Sequence, residues 1–370
     1  MKTPLSNIQP NLLILLILMA IIPKVVVASP SITAVTGPLQ NGQMITLSGT
    51  GFGAKSPAVP QKWDDFESGT TGNNIGNSSP LGVDVSAWIL SSQGASGHEP
   101  KYSTTHSHSG FKAALSDNTG GCYSSQIGYN WSSNRQGVIY ITWWLYRVQN
   151  PTNSIYNWKP WREYPSWGEN GSFTGCGYNN VYYPSSLCTT DTMTESGVFS
   201  NNYPGIVWQL PDSTWERWEV LYSTGTPGNS DGFIEYRING VLKKSIINIA
   251  MLEGGSTGGW KNTRVNNYWD GRQGTLQSWI DDLYIDTTQQ RVEVCDASVW
   301  SNRNHCEIQI PSSWSDSSIT ITFNQGSFET GRCLYLYVVD VNGNITNGFP
   351  IGNCSTYGAP NPPSGLTILD

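Results

Sequence analysis

Thr275-Leu-Gln-Ser-Trp-Ile-Asp-Asp-Leu-Tyr-Ile-Asp286, running into Arg291-Val-Glu-Val294, decides how this chain is organised. Both runs alternate apolar and polar residues and carry β-branched and aromatic side chains, the pattern of half-buried strands. The first closes one β-unit and hands the chain straight back to another. Everything from Trp63 up to the end of that first run then reads as a unit set into the middle of a second one.

The interrupted unit starts with two short strands, Ser31 to Gly37 and Gln43 to Gly49, around the turn Pro38 to Gly42. Two strands do not make a stable β-domain. Their partners come only after residue 290: Arg291 to Val294, Glu307-Ile-Gln-Ile-Pro311, Ser318-Ile-Thr-Ile-Thr-Phe323 and Leu334-Tyr-Leu-Tyr-Val-Val339, with a tight turn at Asp340-Val-Asn-Gly343. Here the sequence resembles the IPT/TIG family of Ig-like domains. The resemblance rests on Ile45-Thr-Leu-Ser-Gly-Thr-Gly-Phe-Gly53 and, in order, on Ile308-Gln-Ile-Pro311 and Ile319-Thr-Ile-Thr-Phe323. It implies a discontinuous Ig-like sandwich made of residues 29–60 and 290–354, interrupted by 61–289.

The interrupting segment opens with Trp63-Asp-Asp-Phe-Glu67. It continues through His108-Ser-Gly-Phe-Lys-Ala-Ala-Leu115 and the long, mostly apolar Val138 to Val148, which reads as a central strand. Trp215 to Tyr222 and Gly232 to Ile238 form a hairpin pair, followed by an Asn239-Gly240 turn. With Thr275 to Asp286 as its last strand, the segment resembles concanavalin-A-like and carbohydrate-binding jelly rolls; residues 150–210 match nothing in them. The same three-part layout is similar to that of secreted bacterial proteins, which supplies no activity. The fold class is therefore all-β: a jelly-roll sandwich inserted in an Ig-like one.

Residues 1–28 read as a signal peptide, with Lys2, the apolar run Leu12 to Ile22 and the small-residue site Val26-Val-Ala28. The run is too short for a membrane anchor before Pro23 and Lys24 interrupt it. The expected location is therefore extracellular or at a cell surface. Removing that segment takes away Lys2 and Lys24 and no acid, so the formal net charge moves from −7 to −9. An acidic chain with 13% charged residues lacks the basic footprint of a nucleic-acid binder. The seven cysteines pair by sequence proximity as Cys176–Cys188, Cys295–Cys306 and Cys333–Cys354, leaving Cys122; other connectivities stay open. Residues 355–370 are Pro/Gly-rich and read as an exposed, extended tail.

Three constellations bear on chemistry. In a jelly roll the first and last strands are neighbours, which brings Asp64, Asp65 and Glu67 near Asp281, Asp282 and Asp286. Clustered carboxylates raise one another's pKa unless a cation relieves them. The resemblance implies a structural calcium held by Glu67 and Asp282; the alternative is solvated strand ends. The block Tyr156 to Trp167 offers Trp158, Trp161, Tyr164 and Trp167 as platforms for sugar rings. Lys159 and Arg162 stand ready for an acidic group. The alternative is an anchor packed on the domain's own sheet. Thirdly, Arg217 and Glu219 share one face of their strand and Glu235 and Arg237 one face of theirs. These would make cross-strand charge pairs on an exposed sheet, open to a uronate.

No ExDxxE or HExxH motif occurs. His98, His106 and His108 lie close together without an acid at ligand spacing, so they read as surface-loop residues. The expected function is binding of an extracellular polysaccharide by aromatic stacking. The alternatives are a polysaccharide lyase or glycoside hydrolase, and a structural or adhesive surface protein.

Overall fold

The computed structural model describes residues 29–150, 156–167, 172–178, 187–191, 194–197, 213–271 and 275–354; the 1–28 leader and the 355–370 tail lie outside them. The described chain is all strand and turn. In order, the strands are β1 (Ser31–Thr36), β2 (Met44–Thr50), β3 (Lys62–Asp64), β4 (Ile89–Gln93), β5 (Lys101–Ser103), β6 (Ala113–Asn118), β7 (Ser124–Arg135), β8 (Val138–Asn150), β9 (Tyr156–Pro165), β10 (Ser172–Tyr178) and β11 (Leu187–Asp191). There follow β12 (Glu216–Ser223), β13 (Gly232–Ile238), β14 (Val241–Ile249), β15 (Trp260–Gly271), β16 (Thr275–Asp286), β17 (Arg291–Cys295), β18 (Cys306–Ile308), β19 (Ile310–Trp314), β20 (Ser318–Thr322), β21 (Leu334–Val339) and β22 (Phe349–Ile351). Among the described residues no helix is long and apolar enough to cross a membrane.

Two large antiparallel sheets face each other. One runs β14-β13-β12-β8-β16-β6-β5, with β3 also paired to β16; the other runs β11-β10-β9-β15-β7-β4. The apolar run of β8 places it between β12 and β16, as a central strand should be. Strand alternation sends Trp143 (β8), Trp158 and Trp161 (β9), Trp218 and Tyr222 (β12) and Trp260 (β15) into the space between the sheets, where all are buried. Their rings meet edge-on or tilted: Trp161 and Tyr222 lie 5.3 Å apart and Trp143 and Trp218 5.6 Å apart, the geometry ring quadrupoles prefer.

Two smaller sheets, β1-β2-β20-β19 and β18-β17-β21-β22, enclose a second core that includes Ile45, Leu47, Phe52, Val292, Val294, Ile319, Ile321 and Val338. Here the start of the chain meets its end. Ile45 stands opposite Ile321, and the Thr46 and Thr320 hydroxyls lie 3.0 Å apart. Gly49 is needed because a Cβ there would run into the Ser31 carbonyl and the Phe52 ring.

The last strand of the larger unit departs from the sequence expectation. β16 is not half-buried: from Leu276 to Asp286 only Gln277 is more than slightly exposed. One of its faces meets the aromatic core, and the smaller sheets cover the other. Trp63, Tyr140, Leu221 and Tyr284 pack there against Ile308 and Ile310. Beside this patch lies a buried ion group. Arg217 reaches Glu293 with both terminal nitrogens, at 3.2 and 3.1 Å, and Arg291 reaches the same carboxylate at 2.5 Å. Tyr140 lies under the Arg291 guanidinium and donates to Glu219 at 2.8 Å. Burial alone would raise the Glu293 carboxyl, but Arg217 and Arg291 outweigh it and hold it well below the usual carboxylate range.

Cys295–Cys306 and Cys333–Cys354 are disulfides, and Cys122 is a buried free thiol. Cys176 stands opposite Cys188 in the backbone register of β10 and β11; the side chains of this pair lie outside what is described.

Removing one member of a buried ion group strands the charge left behind. Arg217→Ala is expected to cost about 3–5 kcal/mol, read as a lowered midpoint of denaturant unfolding. A loss within that of ordinary surface substitutions, under about 0.5 kcal/mol, would contradict this account of the contact between the two cores.

Candidate functional site

Among the described residues, the face that the six-stranded sheet turns away from the core carries partly exposed polar side chains, and the candidate site is on it. β9 supplies its first residues. Trp158, Trp161, Glu163 and Pro165 point inward and are buried, while Asn157, Lys159, Arg162 and Tyr164 remain partly exposed. Trp158 and Trp161 both face inward although three apart because the register with β10 shifts between them. Pro160, which has no N–H to give a ladder, sits in that irregularity.

Across the sheet, Arg162 stands opposite Arg264 of β15 and Tyr164 opposite Asn262. Arg264 in turn stands opposite Gly128 of β7, and Asn262 opposite Asn130. The Arg264 guanidinium lies flat, donating through Nη1 to the carbonyls of Tyr129 (3.3 Å) and Thr263 (3.0 Å) and through Nη2 to Asn130 Oδ1 (3.1 Å). Glycine at 128 permits this, since a Cβ there would come within 2.5 Å of Nη1. Arg162 lies over the Tyr164 ring at 4.4 Å. Burial lowers both guanidinium pKa values, yet arginine stays charged in proteins. Like charges directly opposite across a sheet repel; Glu163 offsets part of the charge on Arg264, and an anion bound on the outer face would offset more. Arg162 and Arg264 are the centre of the candidate site, with Lys159 and Tyr164 beside them.

Beneath them, on the inner side, lies Glu163. Its carboxylate accepts from Trp131 Nε1 (3.1 Å), Tyr222 Oη (2.7 Å) and Thr263 Oγ1 (2.5 Å), tying β9, β7, β15 and β12 together. Burial nevertheless wins over these donors and pushes its pKa up to about 7.

The structure redistributes the residues expected to bind. Trp158 and Trp161 are core residues, so neither ring can serve as a sugar platform. Trp167 packs on Trp260 at 5.4 Å at the edge of that core. Among the described side chains of the aromatic block, only Tyr164 shares that face with Lys159 and Arg162. Arg217 is no surface residue but the buried partner of Glu293. Arg237 pairs along its own strand with Glu235 at 2.7 Å, rather than across strands, and lines a cleft of about 630 Å³ together with Trp300 and Arg303. Arg264 and Asn130 were missed. The signal was present in Asn262-Thr-Arg-Val265, where polar residues alternate with Thr263 and Val265 at the strand period.

The acids divide: Asp65 stays close enough to Asp282 to raise its pKa, and Asp281 and Asp282 hold the same loop. β3 does pair with β16, placing Asp64 opposite Leu283. Asp64, however, is taken by Trp88 Nε1 at 2.7 Å, and Asp286 by Lys55 at 2.9 Å. Glu67 and Asp282 both hold the segment Ser109 to Lys112: Glu67 Oε1 accepts from the Phe111 and Lys112 amides, and Asp282 Oδ2 from Ser109 Oγ. Asp282 Oδ1 is buried without a hydrogen-bond partner, and Asp282 has a left-handed φ of 47°. An orphaned buried carboxylate oxygen fits a hard cation such as calcium. The three nearby histidines do not share a site: His98 lies by Asp117, His106 stacks on Tyr146, and His108 reaches Glu307.

No family model matches this sequence, and no curated relative matches it. Among solved structures the chain is similar to an endo-β-1,4-glucuronan lyase from the fungus Trichoderma reesei at 14% identity and a TM-score of 0.40, covering 59% of this chain and 96% of that one. An alginate lyase shows 11% identity and a TM-score of 0.42, covering 62% and 98%. A marine alginate lyase from Aplysia kurodai shows 12% identity and a TM-score of 0.34, covering 50% and 86%. Overlaps of this size assign neither residues nor chemistry.

A carboxyl whose pKa is raised on folding stabilises the protein below its unfolded value of 4.5, and that contribution is lost as pH rises through about 7. Wild-type stability is expected to fall across this window. Glu163→Gln, neutral throughout, should flatten the fall when denaturation is compared at pH 5 and pH 8. An unchanged slope would show that Glu163 is ionised in the fold.

Proposed function

We propose that this chain is a secreted protein that binds an acidic extracellular polysaccharide on the outward face of the six-stranded sheet. The observation that carries this reading is the pair Arg162 and Arg264, standing opposite each other across β9 and β15 with Arg264 pinned by three neutral oxygens. A planar guanidinium matches a carboxylate with two parallel hydrogen bonds. Fixing it before the ligand arrives removes part of the ordering cost of binding. Lys159 adds a third cation, and Tyr164 offers an apolar ring and a hydroxyl. Charge leads recognition in this reading, and stacking on Tyr164 is subordinate.

A second reading, uronate-polymer lyase, is favoured by the 4.4 Å approach of Arg162 to Tyr164. Arginine would neutralise the uronate carboxylate, making the adjacent C–H more acidic. The Tyr164 oxygen, acting as phenolate, would take that proton and hand it to the leaving sugar's oxygen as the C–O bond breaks.

In the same reading residues 61–289 are a jelly roll set into an IPT/TIG-like unit of residues 29–60 and 290–354, which the β2–β20 pairing supports. A structural calcium at Asp282, with Glu67 nearby, is supported by the orphaned Oδ1.

Retention on immobilised uronate polymer, compared with a neutral glucan, tests the binding site. Wild type should be retained on the first alone and released by salt, because exposed charge pairs are screened. Arg162→Ala/Arg264→Ala should weaken binding at least about tenfold, the effect of roughly 1.4 kcal/mol. Equal retention of the double variant would refute the site, and growth of ultraviolet absorbance from unsaturated ends would select the lyase reading. For calcium, adding the ion to dialysed protein should raise Tm in wild type and leave Asp282→Asn unchanged. The same Tm with and without calcium in wild type removes the metal.

A further inference from the structure

We propose that His108, His305 and Glu307 form a zinc-class metal site that clamps the two β-units together. This goes beyond the glycan-binding reading and does not depend on it. His108 comes from the loop before β6 in the larger unit, while His305 and Glu307 come from the start of β18 in the smaller one. Their candidate ligand atoms lie within 4.8 Å of one another.

The geometry is not that of an ordinary ion pair. His108 Nε2 lies 2.8 Å and His305 Nε2 2.6 Å from the same atom, Glu307 Oε1. The Ser327 amide donates to that atom at 3.1 Å, and Ser327 Oγ stands 3.4 Å from it and from both imidazole nitrogens. A carboxylate oxygen has two lone pairs, too few for this many donors. A cation among the three residues removes the conflict, because both imidazoles then offer lone pairs instead of protons. Tetrahedral zinc, with ligands at about 2.0–2.2 Å, places donor atoms about 3.3 Å apart. The two imidazole contacts to Glu307, at 2.8 and 2.6 Å, would therefore lengthen by less than about 1 Å.

The rings are held in place by stacking, and Glu307 by a hydrogen bond from behind of the kind metal ligands use. The Glu307 Oε2 atom accepts from Trp144 Nε1 at 3.1 Å, and the His108 ring stacks on Trp144 at 3.6 Å while its backbone N–H is held by Asp281. His305 stacks on Phe328 at 4.1 Å. Gly326, at φ +54°, is required because a Cβ would run into the Glu307 carboxylate. The His305 side chain is 25% exposed, against 4% for His108 and 0% for Glu307, which gives the ion its entry and leaves room for a fourth ligand, Ser327 or water. Two imidazoles and one carboxylate suit zinc and disfavour the hard ions calcium and magnesium.

The test loads the full chain, stripped by chelator, with zinc chloride alone and measures bound metal by elemental analysis and calorimetry. Wild type should retain one zinc per chain after dialysis, with a raised Tm, and should show no comparable retention of calcium or magnesium at these residues. His305→Ala, at the exposed ligand, and His108→Gln should each weaken zinc binding about tenfold or more, while His98→Ala, in a different contact, should not. Cobalt loaded in place of zinc should give visible absorption in wild type that His305→Ala loses. Zinc-free wild type after loading, or equal zinc in His305→Ala, would leave the cluster a hydrogen-bonded His–Glu–His contact and overturn the proposal.

Discussion

The buried carboxylate of Glu293, gripped by Arg217 and Arg291, is the constraint from which the layout of this molecule follows. Arg217 belongs to the eight-stranded sheet, Arg291 and Glu293 to the smaller unit, so the charge group binds the two cores to each other. Such an arrangement is costly to desolvate and costly to break. It also sets orientation, since two forked guanidiniums and one carboxylate fit in few ways. With the smaller unit held there, it covers one face of the jelly-roll-like body, and among the described residues the candidate site is on the opposite one. The position of the candidate site is therefore a consequence of the ion group, at one remove.

Much of the architecture was readable from the residues, because strand period and apolar runs report burial directly. The central place of Val138 to Val148, the pairing of the Trp63 and Thr275 segments, and the meeting of Ile45 with Ile321 all follow from pattern plus the need of two short strands for partners. What pattern could not give was which face of a strand meets protein and which meets solvent. Arg217 and Glu219 look like surface residues beside their neighbours, and only the second unit, lying over them, makes them interior. β16 was misread as half-buried for the same reason.

The site was legible in part. Lys159, Arg162 and Tyr164 lie on the outward face, whereas Trp158 and Trp161 both turn inward across a register irregularity at Pro160; the proline signals a bulge, but not which face the tryptophans take. Arg264 is cross-strand to Arg162 but more than one hundred residues later in the sequence, so its relevance appears only once β9 and β15 pair. His305 and Glu307 follow the same logic: an alternate pair on one strand is visible, but its third member, His108, stands about two hundred residues upstream.

The contact between β2 and β20 has a bearing on how the molecule reaches its folded state. Residues 274 positions apart must find one another before the smaller core can close. Contacts of such span form slowly, since a long stretch of chain must first be ordered. The larger unit, whose strands lie between them in sequence, shortens that search by bringing Lys62 and Ile285 side by side. Until it does, β2 is an unpaired edge with Met44 and Ile45 available to any neighbouring strand, and the earliest part of the chain is the part most exposed to mispairing.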